Sequence, residues 1–195
     1  MSQIWVVKLG GSLAKSPSLK TWLDRIAQHK QAKIVIVPGG GGFADQVRIA
    51  QKQWGFQDQY AHQMALLAMR QMALLFQGIQ PKLALASSFL KINTLLDAEK
   101  PVVWMPELEM LNKAGIPASW DITSDSLAAW LAEQLSVTEL VLVKSALIPE
   151  HCSIEELMQM GIVDKAFTQY ANKLNSQIKV ISREHIDTFS SWLVK

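Results

Sequence analysis

Short runs of apolar residues alternate along the chain with segments in which apolar side chains recur every three or four positions. The first two runs, IWVV at residues 4–7 and IVIV at residues 34–37, are apolar at every position. A strand with both faces apolar is typical of a parallel sheet that is covered by helices on each side. The pattern therefore predicts fully buried strands rather than strands with one face in water.

Four further runs predict strands, and helical spacing of apolar residues predicts four helices. The strands are expected at residues 83–86, which is weak, and at 102–105, 139–145 and 178–182; the helices are expected at residues 21–29, 43–54 and 58–76 and around 127–135. This alternation indicates a three-layer α/β/α sandwich with a mainly parallel central sheet. Because no internal repeat or low-complexity linker interrupts it, we expect a single domain over residues 1–195.

The composition narrows the classes of function. Of the 195 residues, 49% are hydrophobic and 18% are charged, and the formal net charge is only +2. This balance argues against a nucleic-acid or membrane-surface partner. No apolar run approaches the ~18 residues of a membrane span, and the first residues do not form a signal peptide. The single cysteine, Cys152, allows no intrachain disulfide, and we expect a cytoplasmic protein.

Two glycine-rich turns follow the first two predicted strands, and a hydroxyl-rich segment opens a later predicted helix. That segment is DITSDSLAA, residues 121–129. The turns contain Gly10, Gly11 and Ser12, preceded by Lys8, and then Gly39, Gly40, Gly41 and Gly42. Ligands of open parallel sheets collect beyond the carboxyl ends of the strands, so we expect the two turns to lie side by side.

Glycine turns at this edge predict a phosphate-handling site. They let backbone N–H groups approach an anion closely, and the helix that follows adds its positive end. Lys8 supplies a mobile charge of the kind that stabilises a phosphoryl group in transit. The alternative is that the glycines only form tight turns and Lys8 is a solvated strand end. Two turns together with the lysine favour the phosphate site.

The second turn matches other nucleotide motifs only in part. It is not a Walker A loop, because no Gly-Lys-Ser/Thr follows the glycines. Gly39, Gly41 and Ala44 fit the dinucleotide pattern G-x-G-x-x-A. That pattern also needs a strand that ends in an acidic residue ~20 residues later, whereas the residues before Asp58 have no strand character. An NAD site is therefore the weaker alternative.

Taken together, K-x-G-G-S, G-G-G-G and T-S-D-S-x-A-A resemble the motifs of the amino acid kinase superfamily over about residues 4–145. This superfamily includes carbamate, acetylglutamate, aspartate, uridylate and isopentenyl phosphate kinases. The resemblance implies that Lys8 stabilises the transferred phosphoryl group and that Asp125 orients this lysine. It also implies that Gly10, Gly11 and Ser12 hold the terminal phosphates of ATP, with Gly39, Gly40, Gly41 and Gly42 holding the acceptor.

Two segments that larger members of the superfamily carry on the nucleotide side have no clear counterpart. Where T-D-V-D-G-V is usual, this chain has VKSALI, and the later G-G-M-x-x-K is absent. Lys144, at the end of a predicted strand, is therefore the best candidate for a second cation at the nucleotide. The alternative is that Lys144 is an ordinary surface charge at the end of a strand.

The segments WDITSDSLAAWLA, KSALI and GIVDKAF resemble one small branch of the superfamily. Its members are the kinases of methanofuran biosynthesis in methanogens and their counterparts in methylotrophic bacteria, which convert an aminomethylfuran-methyl phosphate to the diphosphate. An acceptor of this kind carries an ammonium group, for which Asp121 is the candidate ligand, and Thr123 is a further candidate for the acceptor site. Alternatively, Asp121, Thr123 or Ser124 caps the helix that follows.

Other residues have ordinary structural interpretations. We expect His62 to be a hydrogen-bonded or partly exposed histidine. Met64, Met69 and Met72 form a helical stripe that fits a core or a subunit interface, and Trp5, Trp22 and Trp130 fit the core. Trp120 is a candidate for stacking on a flat ring.

The sequence thus predicts a kinase that uses ATP and acts on a small phosphate or carboxylate acceptor, most specifically the aminomethylfuran phosphate. Mg²⁺ is expected to be held through the nucleotide phosphates rather than by a protein ligand cluster. The chain is expected to form a homo-oligomer. The rival interpretation is a non-catalytic domain that senses a nucleotide or a phosphorylated metabolite.

Overall fold

The computed structural model describes residues 3–192. Six strands form one sheet: β1 (Gln3–Leu9), β2 (Ala32–Pro38), β3 (Ala84–Ala86), β4 (Val102–Trp104), β5 (Glu139–Lys144) and β6 (Gln177–Ser182). Their order across the sheet is β3-β4-β2-β1-β5-β6, and every neighbouring pair is parallel. The predicted parallel sheet is confirmed, and each predicted strand lies within two residues of its expected bounds.

Helices cover both faces of the sheet. A 3-10 turn (Gly11–Lys15) follows β1, and the helices are α1 (Ser18–Gln28), α2 (Gly41–Trp54), α3 (Asp58–Ile79), α4 (Phe89–Asp97), α5 (Leu108–Lys113), α6 (Ser124–Gln134), α7 (Ile154–Gln159), α8 (Phe167–Ala171) and α9 (Ile186–Trp192). The four predicted helices are present as α1, α2, α3 and α6. The others were not predicted, because short helices leave little periodicity in the sequence.

Two apolar cores, one on each face of the sheet, confirm the three-layer arrangement. Successive residues of a strand point to opposite faces, so that Val6 packs with α4 to α8 while Trp5 and Val7 pack with α1 and α9. The long helix α3 contributes to both cores. Trp5, Trp22 and Trp130 are all buried, as predicted.

The topology places two lysines at one point of the sheet edge. After β1 the chain adds β2, β3 and β4 on one side of β1, with β3 at the outer edge, and then adds β5 and β6 on the other side. Ligands of open parallel sheets bind at such a reversal of strand order. Lys8 pairs in register with Leu142, and Lys144 lies two residues further along β5, so both lysines project from the face that α6 covers.

Candidate active site

A buried carboxylate joins the two lysines. Lys8 Nζ lies 2.8 Å from Asp125 Oδ1, and Lys144 Nζ lies 2.5 Å from Asp125 Oδ2. The side chains of Lys8, Asp125 and Lys144 are only 6%, 5% and 12% exposed. All three residues are candidates from the sequence, and the fold brings Lys8 of β1 into direct contact with Asp125, more than a hundred residues later, while Lys144 contacts the other oxygen of the same carboxylate.

This cluster carries more positive than negative charge. Burial acts to raise the pKa of Asp125, but the two ammonium groups outweigh it and hold this pKa below its ordinary value, so the carboxylate is ionised. Burial and the nearby Lys8 lower the pKa of Lys144 to about 8, although Asp125 opposes this shift. Within this cluster two cations face one anion, while the nearby Asp164 carboxylate, which also acts to raise the pKa of Lys144, is engaged in hydrogen bonds with Thr123 and Ser126. The surplus positive charge of the cluster itself favours binding of an anionic group.

Asp125 is held in place from another part of the chain. Asp164, in the segment between α7 and α8, accepts hydrogen bonds from the backbone N–H groups of Thr123 at 2.9 Å and Ser126 at 3.0 Å. Its carboxylate also accepts from the hydroxyl groups of the same two residues. Asp164 therefore caps α6 and fixes the first turn of this helix, on which Asp125 stands.

The alternative that a neighbouring side chain caps α6 does not hold. Thr123 occupies the N-cap position, but its side chain does not accept a hydrogen bond from the helix and instead donates to Asp164. Asp121 lies on the surface with its carboxylate 3.2 Å from Lys165 Nζ. Local sequence suggested a local cap, whereas a residue some forty positions later provides it. The only signal was an acidic residue in GIVDKAF, which has no local feature that identifies its partner.

The two glycine turns pack directly against each other. A Cβ atom added to Gly11 would lie 2.2 Å from Gly41 N, and one added to Gly39 would lie 2.4 Å from Gly11 N. Gly41 also has a φ angle of +56°, which side-chain-bearing residues rarely adopt. These glycines are thus required for contact between the turns as well as for approach to a ligand.

The N–H groups of the turns are not all free to bind an anion. Gly39 N–H donates to Leu9 O at 2.8 Å, and Gly10 N–H donates to Val143 O at 3.3 Å, so both extend the pairing of the sheet. The first hydrogen bond of the 3-10 turn is donated by Leu13 N–H to Gly10 O. The N–H groups of Gly11 and Ser12 precede this bond and therefore have no acceptor within the turn. The first turn of α2 likewise has N–H groups without partners within the helix.

A cavity of about 270 Å³ opens beside the lysines on the β5 side of the first turn. We call it the β5-side cavity. Its lining includes Lys8, Lys144 and the first glycine turn, together with parts of the two loops that flank α7: Ser145, Ala146, Met160, Gly161 and Ile162. These loop residues belong to no sequence motif and come together only through the fold, so the sequence did not indicate them.

A second cavity, of about 350 Å³, lies on the other side of the first turn, and we call it the α3-side cavity. It is lined by all four glycines of the second turn, by Thr123 and Ser124, and by one face of α3 from Asp58 to Met69. Gly11 and Ser12 line both cavities. The two cavities therefore meet at the first glycine turn.

Three further predicted residues have surroundings that their sequence context did not reveal. Asp121 is not among the residues that line either cavity. His62 lines the α3-side cavity, is only 7% exposed, and its Nε2 has no hydrogen-bond partner among residues 3–192, so the expectation of a satisfied or exposed histidine was wrong. Trp120 lines the same cavity, with the Arg48 guanidinium 4.1 Å from the centre of its ring.

Within residues 3–192, no three acidic, histidine or cysteine side chains come together in a way that would hold a metal ion. Over the same residues, every helix is too short or too polar to cross a lipid bilayer.

Comparison with known proteins identifies the class to which this fold and site belong. Residues 3–146 match the model of the amino acid kinase family. The chain therefore belongs to this family, as its motifs indicated.

Individual relatives agree with this assignment. The chain is 32% identical over 139 residues to the [5-(aminomethyl)furan-3-yl]methyl phosphate kinase of Methanocaldococcus jannaschii. The match covers 70% of this chain but 63% of that relative, which is less than two thirds of its length.

Solved structures show the same fold. The uridylate kinase of Archaeoglobus fulgidus superimposes with a TM-score of 0.69 at 17% identity and covers 97% of this chain and 95% of its own. An isopentenyl phosphate kinase gives a TM-score of 0.65 at 13% identity, with coverage of 98% and 96%.

Proposed function

We propose that the protein is a kinase that transfers the γ-phosphoryl group of ATP to a small anionic acceptor. The observation that carries the proposal is the buried group of Lys8, Asp125 and Lys144, whose two lysines line the β5-side cavity beside the glycine turn that both cavities share. Phosphoryl transfer needs mainly positioning and electrostatic stabilisation, and two cations held beside the shared turn would supply both. A domain that only senses a nucleotide has no need of this buried cluster.

The proposed roles follow from the two cavities. ATP would bind in the β5-side cavity, its terminal phosphates near Lys144 and the N–H groups of Gly11 and Ser12. The acceptor would bind in the α3-side cavity, against Gly40, Gly41 and the first turn of α2. Lys8 would contact the group in transfer at the junction, while Asp125 holds both lysines in position. Gly10 and Gly39 would serve by shaping the turns.

The two carboxylates nearest the lysines already have partners, which favours an acceptor that is already an anion. Asp125 is ion-paired with two lysines, and Asp164 accepts hydrogen bonds from Thr123 and Ser126, so neither is free to deprotonate an alcohol. A phosphate monoester has a second pKa near 6 and needs no base at neutral pH. Its oxygen would form a bond to the γ-phosphorus while the bond from that phosphorus to the bridging oxygen breaks, giving a diphosphate and ADP.

The identity of the acceptor rests on the curated relative. Its name supports [5-(aminomethyl)furan-3-yl]methyl phosphate as the substrate here also, which would place this protein in methanofuran-type cofactor biosynthesis. A different small phosphate or carboxylate is the alternative acceptor. Mg²⁺ would be held mainly through the ATP phosphates, since the nearest carboxylates are engaged, and would neutralise part of their charge.

Two further expectations remain part of the proposal. Homo-oligomerisation is supported by apolar side chains on the outer face of α3, namely Tyr60, Met64, Leu67, Leu74 and Leu75, which are 38% to 55% exposed. Of the predicted methionine stripe, Met69 and Met72 instead lie in the core. We also propose a cytoplasmic location, in keeping with an ATP-dependent reaction.

The direct test is turnover of the purified protein with Mg–ATP and a panel of small phosphate monoesters, carboxylates and alcohols. We expect ADP and a diphosphate product with the aminomethylfuran phosphate and no product with the alcohols. Products would be identified by mass spectrometry and ³¹P NMR. Transfer to carboxylates alone would overturn the phosphate-acceptor assignment, and no transfer to any acceptor would favour the sensing role.

The pKa of Lys144 predicts a pH dependence of ATP capture. Because this pKa is about 8, the charged fraction of Lys144 falls from about nine-tenths at pH 7 to about one-tenth at pH 9. We therefore expect kcat/KM for ATP, which reports on the free enzyme, to decline above pH 8.

The matched variant is Lys144→Arg, whose guanidinium stays charged throughout this range. We expect a lower rate for this variant but a profile that stays flat to beyond pH 9. A wild-type profile that is also flat from pH 7 to 9.5 would mean that Lys144 does not control ATP capture through its charge.

A further inference from the structure

The end of the α3-side cavity that lies away from the glycine turns carries a carboxylate without a cationic partner. Asp58 begins α3 and lines this cavity. Ten ion pairs occur among residues 3–192, and none includes Asp58. The other acidic residue of the lining, Asp45, lies 3.6 Å from Arg48. Asp58, which is exposed in the first turn of α3, is therefore the acidic side chain of this lining that has no ion-pair partner among the described residues.

Hydrogen bonds hold Asp58 in a fixed relation to Trp120. Gln51 Nε2 donates to Asp58 Oδ1 at 2.7 Å, and Trp120 Nε1 donates to Gln51 Oε1 at 2.6 Å. Gln51 Nε2 also donates to Phe56 O at 3.1 Å, so that the amide is anchored at both ends. This chain of bonds ties α2, α3 and the segment before α6 into one wall of the cavity. A carboxylate held in this way is already oriented before a ligand arrives.

His62 adds a polar group but no charge. It lies one helical turn after Asp58 on the same face of α3, and burial lowers the pKa of its imidazole, which keeps it neutral at physiological pH. Its unpartnered Nε2 shows that the wall is built with polar groups that the protein itself does not satisfy. Together with Trp120, on whose ring the Arg48 guanidinium lies, these residues form a polar and aromatic end to a cavity whose other end is glycine.

The length of the cavity matches an extended acceptor. Ala68 faces Gly40, with 3.5 Å between its Cβ and a Cβ added to that glycine, and Asp58 lies ten residues earlier on the same helix. Ten residues of helix span about 15 Å. In the aminomethylfuran phosphate, ordinary bond lengths separate phosphorus from nitrogen by about 8 Å. The difference between these two lengths is about 7 Å, and hydrogen bonds of about 3 Å at each end of the acceptor, together with the Asp58 side chain, cover it.

We propose that Asp58 binds the ammonium group of the acceptor, so that the enzyme selects phosphate monoesters carrying a cationic arm about 8 Å from the phosphorus. The class of substrate rests on the proposed function. The assignment of Asp58 to the ammonium group rests on the cavity wall that contains Asp58 and Trp120, which Gln51 links by hydrogen bonds. It differs from the expectation based on sequence, which gave this role to Asp121. Asp121 lines neither cavity and is paired with Lys165.

The test combines a change in the protein with a change in the ligand. Asp58→Asn keeps the shape of the side chain and the oxygen that accepts from Gln51, but it removes the charge. Isothermal titration calorimetry would compare the aminomethylfuran phosphate with an analogue that has a methyl group in place of the aminomethyl group. We expect the variant to bind the amine roughly 10- to 100-fold more weakly than the wild type. The methyl analogue should bind both proteins within about threefold.

Asp121→Asn is the matched control, because it removes the same charge from a neighbouring surface position. We expect this variant to bind both ligands as the wild type does. Equal loss of affinity for the amine and the methyl analogue in Asp58→Asn would overturn the proposal, and so would a loss that appears in Asp121→Asn instead. A wild-type protein that does not distinguish the two ligands would also overturn it.

Binding and turnover separate this inference from the proposed function. A protein that binds the amine selectively through Asp58 but transfers no phosphoryl group would retain the inference and lose the kinase assignment. A protein that phosphorylates the acceptor equally well with and without Asp58 would retain the kinase assignment and lose the inference. Thermal melting of each variant would confirm that the fold is intact.

Discussion

Replacement of Lys8 by alanine is expected to reduce phosphoryl transfer about 10³-fold, which is the usual scale for losing one preorganised charge at the reacting group. Lys8 lines the β5-side cavity beside the first glycine turn, at which the two cavities meet. The loss should appear in kcat, because this contact is strongest while charge redistributes on the transferred group. Steady-state assays with saturating ATP would measure it.

The fold should survive this change. Without Lys8, Asp125 keeps its ion pair with Lys144, and the buried cluster changes from a surplus positive charge to a balanced pair. The nearby Lys8 is one reason for the low pKa of Lys144, so this pKa should rise in the variant. Lys8→Met, which retains most of the buried volume, separates the loss of charge from the effect of a cavity.

Lys33→Ala is the matched control for Lys8→Ala. Lys33 lies near the amino end of β2, whereas the glycine turns follow the carboxyl ends of β1 and β2, and its Nζ lies 2.7 Å from Asp97 Oδ1. We expect full activity from this variant. If Lys8→Ala and Lys8→Met turn over ATP and acceptor at the wild-type rate, Lys8 has no part in the transfer.

Replacement of Gly11 by alanine is the second change for which we expect a large effect. Its Cβ would lie 2.2 Å from the backbone nitrogen of Gly41 and 2.5 Å from the Cα of the same residue. Backbone atoms on both sides cannot move aside as a flexible side chain can, so the two turns must separate. We expect a loss of about 2 to 4 kcal/mol in the free energy of unfolding. Activity should fall with it, because the junction of the two cavities would widen.

Gly78→Ala provides the comparison, because nothing lies within 4 Å of a Cβ added at this position of α3. Alanine there should leave activity unchanged and stabilise the helix by up to about 1 kcal/mol. Urea unfolding and thermal melting would measure both variants. A Gly11→Ala protein with unchanged stability and activity would show that the turns do not depend on their close contact.

The glycine motif predicted part of the site but not the contact between the two turns. Four consecutive glycines after a buried strand indicated a turn that approaches an anion, and the motif with Lys8 indicated the family. It could not show that Gly11 and Gly39 are needed for one turn to touch another, because that contact joins segments thirty residues apart. Nor could it show that the N–H groups of Gly10 and Gly39 bond to the sheet.

Residues outside the motifs were beyond prediction for a similar reason. Asp164 caps α6 from a position 41 residues after Thr123, and Asp58 acquires its place through hydrogen bonds of Gln51 that link two helices and a loop. Neither residue has a distinctive local pattern. Asp121 stands beside the motif and has the right chemistry, yet its side chain turns to Lys165 on the surface.

The sequence by itself determined the layered fold, the family and the three charged residues at the edge of the sheet. These depend on the periods of apolar residues and on motifs in which local geometry and chemistry are read directly from neighbouring positions. Only the tertiary structure decided which N–H groups bond to the sheet, what supports Asp125, and which carboxylates line the α3-side cavity. These depend on contacts between segments distant in sequence, where the packing of α3 and the loops, rather than any local pattern, selects each partner.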